Sequence, residues 1–179
     1  MAIVLRDIFE DITNKVSANL IAGLKVKDSS IEAVNFMAGH PLEISNRLLE
    51  RSKNDVFKFK KYPLIALFQD IIESKGKEPG IDSESTFNLI IARSTSSKFI
   101  ADQRYESNFK PFLNPIYDEF LNQIYLSGKF QVKSKDLISH TKIDRLFWGS
   151  EKANANVFND YIDCIEIRDL KLKVRQINC

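Results

Sequence analysis

Cysteine is scarce: the chain has two, Cys164 and the last residue, Cys179. That excludes a disulfide framework and most zinc sites. Six Gly and five Pro exclude collagen-like and linker-like chains. No charge of one sign dominates. Lys plus Arg is 26, Asp plus Glu is 24, and the net charge of +2 argues against a dedicated nucleic-acid binder. No apolar run reaches the roughly 18 residues of a membrane span. The start, Met1 to Asp7, has no basic segment followed by an apolar one, so no secretory signal is expected. GxGxxG, GxxxxGK[ST] and GxSxG are all missing. The only histidines, His40 and His140, have no metal-ligand spacing, and each is expected to serve as a loop hydrogen-bonding group.

What is present is an ordinary globular composition, 44% hydrophobic and 28% charged, long enough for one domain with its own core. Leu5, Ile8, Phe9, Ile12, Val16 and Leu20 repeat at three- and four-residue spacing, which predicts an amphipathic first helix with Gly23 as its stop. Ile31 to Met37 reads as a short strand, broken at Gly39-His40-Pro41. Pro41 then suits the first turn of a helix carrying Ile44, Leu48 and Leu49. Leu64 to Phe68 reads as a strand covered on both faces, with Pro63 at its start and Ile71-Ile72 prolonging it. Ser74 to Gly80 is an exposed turn. The clearest strand is Thr86 to Arg93, with Phe87, Leu89 and Ile91 on one face and Ile90 and Ala92 on the other. These two strands are expected to pair as an antiparallel hairpin. Asp102 to Ser127 is mostly helical, interrupted at Pro111, restarting with Asn114 as cap and Pro115, and stopped by Gly128. In Tyr161 to Ile177, Ile165 and Ile167 share one parity, whereas Leu170, Leu172 and Val174 share the other. The slip at Arg168-Asp169 predicts a bulge or a turn. Together these predict a single α+β domain over 1–179: a mainly antiparallel sheet, helices packed on one face, and a loop-rich insertion at about 128–160.

Chemistry is thinly represented. Asp160, Asp163, Glu166 and Asp169 cluster, and Asp169-Leu170-Lys171 has the acid-x-Lys form of metal-dependent nucleases, where carboxylates hold Mg²⁺ and the Lys positions water. Alternating charge on an exposed strand accounts for the same residues. Cys164 reads as a small buried hydrophobe in a strand, with no base to make it a nucleophile. Phe147-Trp148-Gly149, after Asp144-Arg145, leaves two readings open: core anchors or interface hot spots. Lys58, Lys60 and Lys61 interleave with Phe57, Phe59 and Tyr62. That spacing suits single-stranded nucleic acid, but an amphipathic strand with solvated lysines is the favoured reading, since no second such segment backs the first.

Four segments together resemble the tail-terminator, or tail-completion, proteins of tailed bacteriophages. They are the first helix, the strand Lys61-Tyr62-Pro63-Leu64-Ile65-Ala66-Leu67 with its partner Phe87–Ala92, the run Arg104-Tyr105-Glu106-Ser107-Asn108-Phe109-Lys110-Pro111 into helix 115–126, and the closing strand 163–174. The stretch His140 to Gly149 is similar to segments of virion proteins of phages infecting Bacteroidetes. The resemblance implies a tail-terminator-like fold and a structural role: a homo-oligomeric ring at the head–tail junction that joins tail to neck and lets DNA pass. It implies contacts with tail-tube, connector or portal proteins, transient contact with genomic DNA, no membrane, no cofactor and no catalysis. The virion tail or neck is the implied location, after assembly in the host cytoplasm. A portal-side head–tail connector or neck ring is the alternative. Sixfold symmetry is implied for terminators and twelvefold for connectors. On this reading Arg104, Arg145, Phe147 and Trp148 belong to a subunit interface, and Lys58, Lys60 and Lys61 line the channel.

Overall fold

The computed structural model describes residues 5–53, 61–74, 83–148 and 161–174. Helix α1 (Leu5–Lys27) is followed by strand β1 (Asn35–Gly39), helix α2 (Pro41–Lys53), and strands β2 (Leu64–Ser74) and β3 (Ser83–Ser94). A long composite helix comes next: α3 (Ala101–Arg104), a π-helical stretch (Tyr105–Leu113) and α4 (Asn114–Leu126). A 3₁₀ turn (Lys135–Leu137) leads to β4 (Thr141–Trp148), and β5 (Ile162–Val174) closes the fold. The five strands form one sheet in the order β1-β2-β3-β5-β4. β1 runs parallel to β2, and every other pair is antiparallel. The molecule is thus α+β with a five-stranded mixed sheet, mainly antiparallel.

Strand alternation sorts the core into two layers. Ile65, Leu67, Phe87, Leu89, Ile91, Ile165 and Ile167 face α1, the π-helical stretch and α4. Phe9 sits at the centre of this layer, its ring centroid 4.8 Å from Phe87, 6.1 Å from Phe120 and 5.9 Å from Phe130. Each such ring contributes a few kcal/mol, on the order of 1.5–3 for full burial. Leu64, Ala66, Ile90, Ala92, Ile162 and Cys164 point the other way and pack with Ile44 and Leu48 of α2. The expectation of helices on one face therefore holds for α1 and α4 and needs correction for α2. A strand–helix–strand crossover between parallel neighbours must leave the sheet plane. On the alternate face of β2 and β3, the apolar Leu64, Ala66, Ile90 and Ala92 give α2 a seat.

Other boundaries moved for local reasons. Gly23 does not stop α1, which continues to Lys27 because Leu24 is buried beyond it. Pro111 does not split the second long helix. The turn widens instead, with the Asn114 N–H donating to Phe109 O five residues back. A wider turn absorbs the missing proline N–H and moves carbonyls away from the ring. Asn114 is accordingly an inner helical residue rather than a cap. Gly128, at φ +65, ends α4. Within the loop-rich insertion, residues 141–148 are a strand whose register against β5 shifts between Arg145 and Trp148, and 149–160 lie outside the described residues. The expected turn at 74–80 also lies mostly outside them.

The slip in β5 is a bulge in one continuous strand. Phe87 faces Leu170 while Leu89 faces Ile167, so Arg168 and Asp169 together oppose Asn88. Asp169 takes φ +52 and donates its N–H to Asn88 Oδ1 at 3.0 Å. The extra residue reverses the parity, which is why both apolar sets reach the same core layer.

Candidate functional site

The acidic cluster of β5 does not converge. Asp163 and Glu166 differ in parity and leave the sheet on opposite faces. Asp163 is wholly buried and belongs to a chain of polar contacts through the helix-covered layer. Arg104 NH1 donates to Asp163 Oδ1 at 3.1 Å, and both side chains are 0% exposed. Arg104 also donates to Thr95 Oγ1 at 2.8 Å and to Phe99 O through Nε at 2.9 Å and NH2 at 2.7 Å. Asn108 Nδ2 donates to the other oxygen of Asp163 at 2.7 Å. Asn108 Oδ1 accepts from Arg93 at 3.2 Å, and Arg93 bridges to Asp28 Oδ2 at 2.6 Å. The Arg93 guanidinium lies 3.4 Å from the Phe112 ring centroid. Burial pushes the Arg93 guanidinium down, against the attraction of Asp28. Hydrogen bonds from Ser30 and the charge of Arg93 hold the Asp28 carboxyl below its ordinary value despite burial. The network ties the end of α1, β3, the π-helical stretch, β5 and the 95–100 loop together. It is an internal brace.

On the opposite face, Glu166 accepts from Arg145 of β4 and from Arg168 at 2.7 Å. Asp169 is exposed on its bulge, Lys171 follows on the strand, and Asp160 lies outside the described residues. No set of three or more His, Cys, Asp or Glu side chains able to hold a metal ion forms among the described residues. Among the described residues, the acid-x-Lys pattern of Asp169 and Lys171 therefore has no carboxylate partner in place.

The other sequence-predicted residues fall as follows. Arg104, expected at an interface, needs correction: it is completely enclosed within the subunit, held by the backbone carbonyls it satisfies. Lys61, expected on a channel wall, is 7% exposed. Its Nζ donates to Ser52 Oγ at 2.6 Å and lies 5.7 Å from the Tyr62 ring centroid. Lys58 and Lys60 lie outside the described residues. Arg145 is half-buried on β4. Phe147 and Trp148 end β4, and their side chains lie outside the described part of the structure. His40 caps α2, its Nδ1 accepting from the Leu42 N–H at 3.2 Å. His140 donates from Nδ1 to Ile138 O at 2.8 Å, which leaves Nε2 to accept the Tyr117 hydroxyl at 2.6 Å. Burial, with Asp118 and Asp144 nearby, raises the Tyr117 hydroxyl and keeps it protonated for that bond. Cys164 is buried as expected, and burial pushes its thiol well up.

Of the two outer strands, β4 was read as loop, and β1 was expected over 31–37 and lies at Asn35–Gly39. β1 pairs only with β2, and β4 only with β5, so both outward edges are open among the described residues. Thr141, Lys142, Asp144 and Leu146 of β4 are exposed. The run Thr141-Lys142-Ile143-Asp144-Arg145-Leu146 carries no apolar alternation that would mark it as a strand. No helix among the described residues is long and apolar enough to cross a membrane. No protein-family model matches the chain, and no curated protein matches it in sequence.

Proposed function

We propose that this chain is a structural virion subunit that assembles with copies of itself into a ring at the head–tail junction of a tailed bacteriophage, as a tail terminator. It works there through shape and contact, joining tail to neck and letting DNA pass. The observation that carries the reading is the pair of edges on one sheet that are open among the described residues. A subunit with two different unpaired edges is suited to head-to-tail, heterologous contacts, and such contacts close into a ring when the rotation between copies divides a full turn. The engagement of Asp163 and Glu166 in ion pairs within the subunit supports it too, since those carboxylates serve stability in this arrangement. Near-balanced charge also suits a DNA conduit, because many phosphate contacts would hold the cargo back.

Native mass spectrometry across micromolar concentrations, negative-stain imaging, and mass spectrometry of purified particles test this. A sixfold ring present in the particle is expected. A twelvefold ring would move the subunit to the portal side as a connector. A monomer at every concentration, together with absence from particles, refutes the reading.

A further inference from the structure

The outer edge of β1 forms the floor of a groove of about 420 Å³ between α1 and α2. Arg6 and Glu10 stand on the α1 wall, and Arg47, Glu50 and Arg51 on the α2 wall. Asn35 donates its N–H to Pro63 O at 2.8 Å and is aligned with Leu64. In a parallel ladder the residues that bond a neighbour alternate with residues whose amides face away. Asn35, Met37 and Gly39 therefore turn their backbone groups to β2, and Phe36 and Ala38 turn theirs into the groove. No described residue bonds to these outward groups, although Ala38 is only 3% exposed. Peptide groups so placed are a template for an added strand.

β4 supplies a matching strand. Lys142 and Asp144 pair with Ile167 and Ile165, which belong to the α1-covered layer, so both side chains stand on that face of the sheet. Arg145, opposite Cys164, stands on the other face. If β4 of one copy continued the sheet beyond β1 of another, Lys142 and Asp144 would come to the wall carrying Glu10 and Arg6. Arg145, held by Glu166 in its own subunit, would come to the wall carrying Arg47, Glu50 and Arg51, so the charge match lies on the α1 side. The spacings agree: one helical turn separates Arg6 from Glu10 by about 6 Å, and two strand steps separate Lys142 from Asp144 by about 6.6 Å. Within one subunit Lys142 pairs with Asp144 at 3.2 Å, donates to Asn114 Oδ1 at 3.2 Å and lies 5.1 Å from the Tyr117 ring centroid; both charged side chains stay partly exposed, so exchanging partners costs little.

We propose that the β1 groove is a docking slot for β4 of a second copy of this chain, so that each subunit offers one slot and one strand. This rests on the ring reading and names its contact. The test has two arms. In the first, the full chain carries R6E/E10K, or K142E/D144K, or all four changes, with thermal melts confirming that each variant folds. Each pair alone is expected to weaken self-association about tenfold or more, and the four together to restore it, because the rim charges are then complementary again. In the second, a fluorescent peptide of residues 139–148 is titrated into the protein at concentrations where it is monomeric. Wild type is expected to bind it, R6E/E10K to bind about tenfold more weakly, and a scrambled peptide not at all. Rings that persist unchanged in both charge-reversed pairs overturn the slot and leave the ring reading standing. A peptide that wild type does not bind, or that R6E/E10K binds equally well, also overturns the slot. Specific peptide binding by a protein that forms no ring supports the slot while removing the ring.

Discussion

Arg104→Met is the sharpest probe of the internal brace. The substitution keeps an unbranched apolar stem and removes a guanidinium that is wholly enclosed. Asp163, also at 0% exposure, loses the Arg104 ion pair and keeps the Asn108 amide. The carbonyl of Phe99 and the hydroxyl of Thr95 lose their donor as well. Removing one member of a buried pair costs roughly 3–5 kcal/mol, since the remaining charge stays desolvated. For a chain of this size 1 kcal/mol moves the melting temperature by about 2–4 °C, so the fall is roughly 6–20 °C. Asp163→Leu should cost a similar amount. The double variant should cost less than the sum by on the order of 1–3 kcal/mol, because it strands no charge. Urea denaturation followed by circular dichroism at pH 7 measures all three. A loss below about 1 kcal/mol for Arg104→Met, or additivity within about 0.5 kcal/mol, would show that the brace is a minor term.

Three further outcomes are expected. Asp169→Gly should be neutral or stabilising and Asp169→Val should cost about 1–2 kcal/mol, since only the glycine relaxes a left-handed backbone; equal melting temperatures for the two variants would argue against the bulge. Leu89→Asp should abolish folding, because it places an unpaired charge at a position 0% exposed between two layers, and a cooperatively melting soluble variant would contradict the sheet assignment. The last concerns pH. Burial acts to raise the Glu119 carboxyl, but hydrogen bonds from Asn19, Gln123 and Asn122 hold it below its ordinary value, and Asp28 is also held low. Both groups are lowered on folding, so the stability they add is present above their unfolded values near pH 4 and is lost as pH falls through the folded ones. Urea midpoints should therefore drop between about pH 5 and 3, less steeply in Glu119→Gln, and an unchanged slope in that variant would discount the α1–α4 contact at Asn19.

Elements with strong periodicity were legible from the amino-acid order. The α1 stripe, the two-faced strand at Thr86–Arg93 and the parity slip at Arg168-Asp169 all read correctly, because each depends on which side of a regular backbone a residue leaves. The kink expected at Pro111 did not, because the choice between breaking a helix and widening it depends on what packs against Phe109, Phe112 and Leu113, all buried. β4 was read as part of a loop, since an edge strand is held by its partner's hydrogen bonds more than by its own propensity.

The candidate site was less legible. A run of carboxylates looks alike whether it grips a cation or an arginine. The distance from Asp163 to Arg104 spans 59 residues of chain, and nothing local announces it. Likewise Lys61 looks like any solvated lysine until α2 brings Ser52 beside it.

By itself the sequence determined the α+β class, the apolar faces and the bulge, because hydrophobic period and side-chain direction are properties of a few consecutive residues. Only tertiary structure decided that α2 crosses to the other face, that Asp163 and Glu166 are divided between two faces, and that β1 and β4 become the outer strands of the described sheet. Those facts depend on strand order, and strand order is set by long-range pairing that no local pattern encodes.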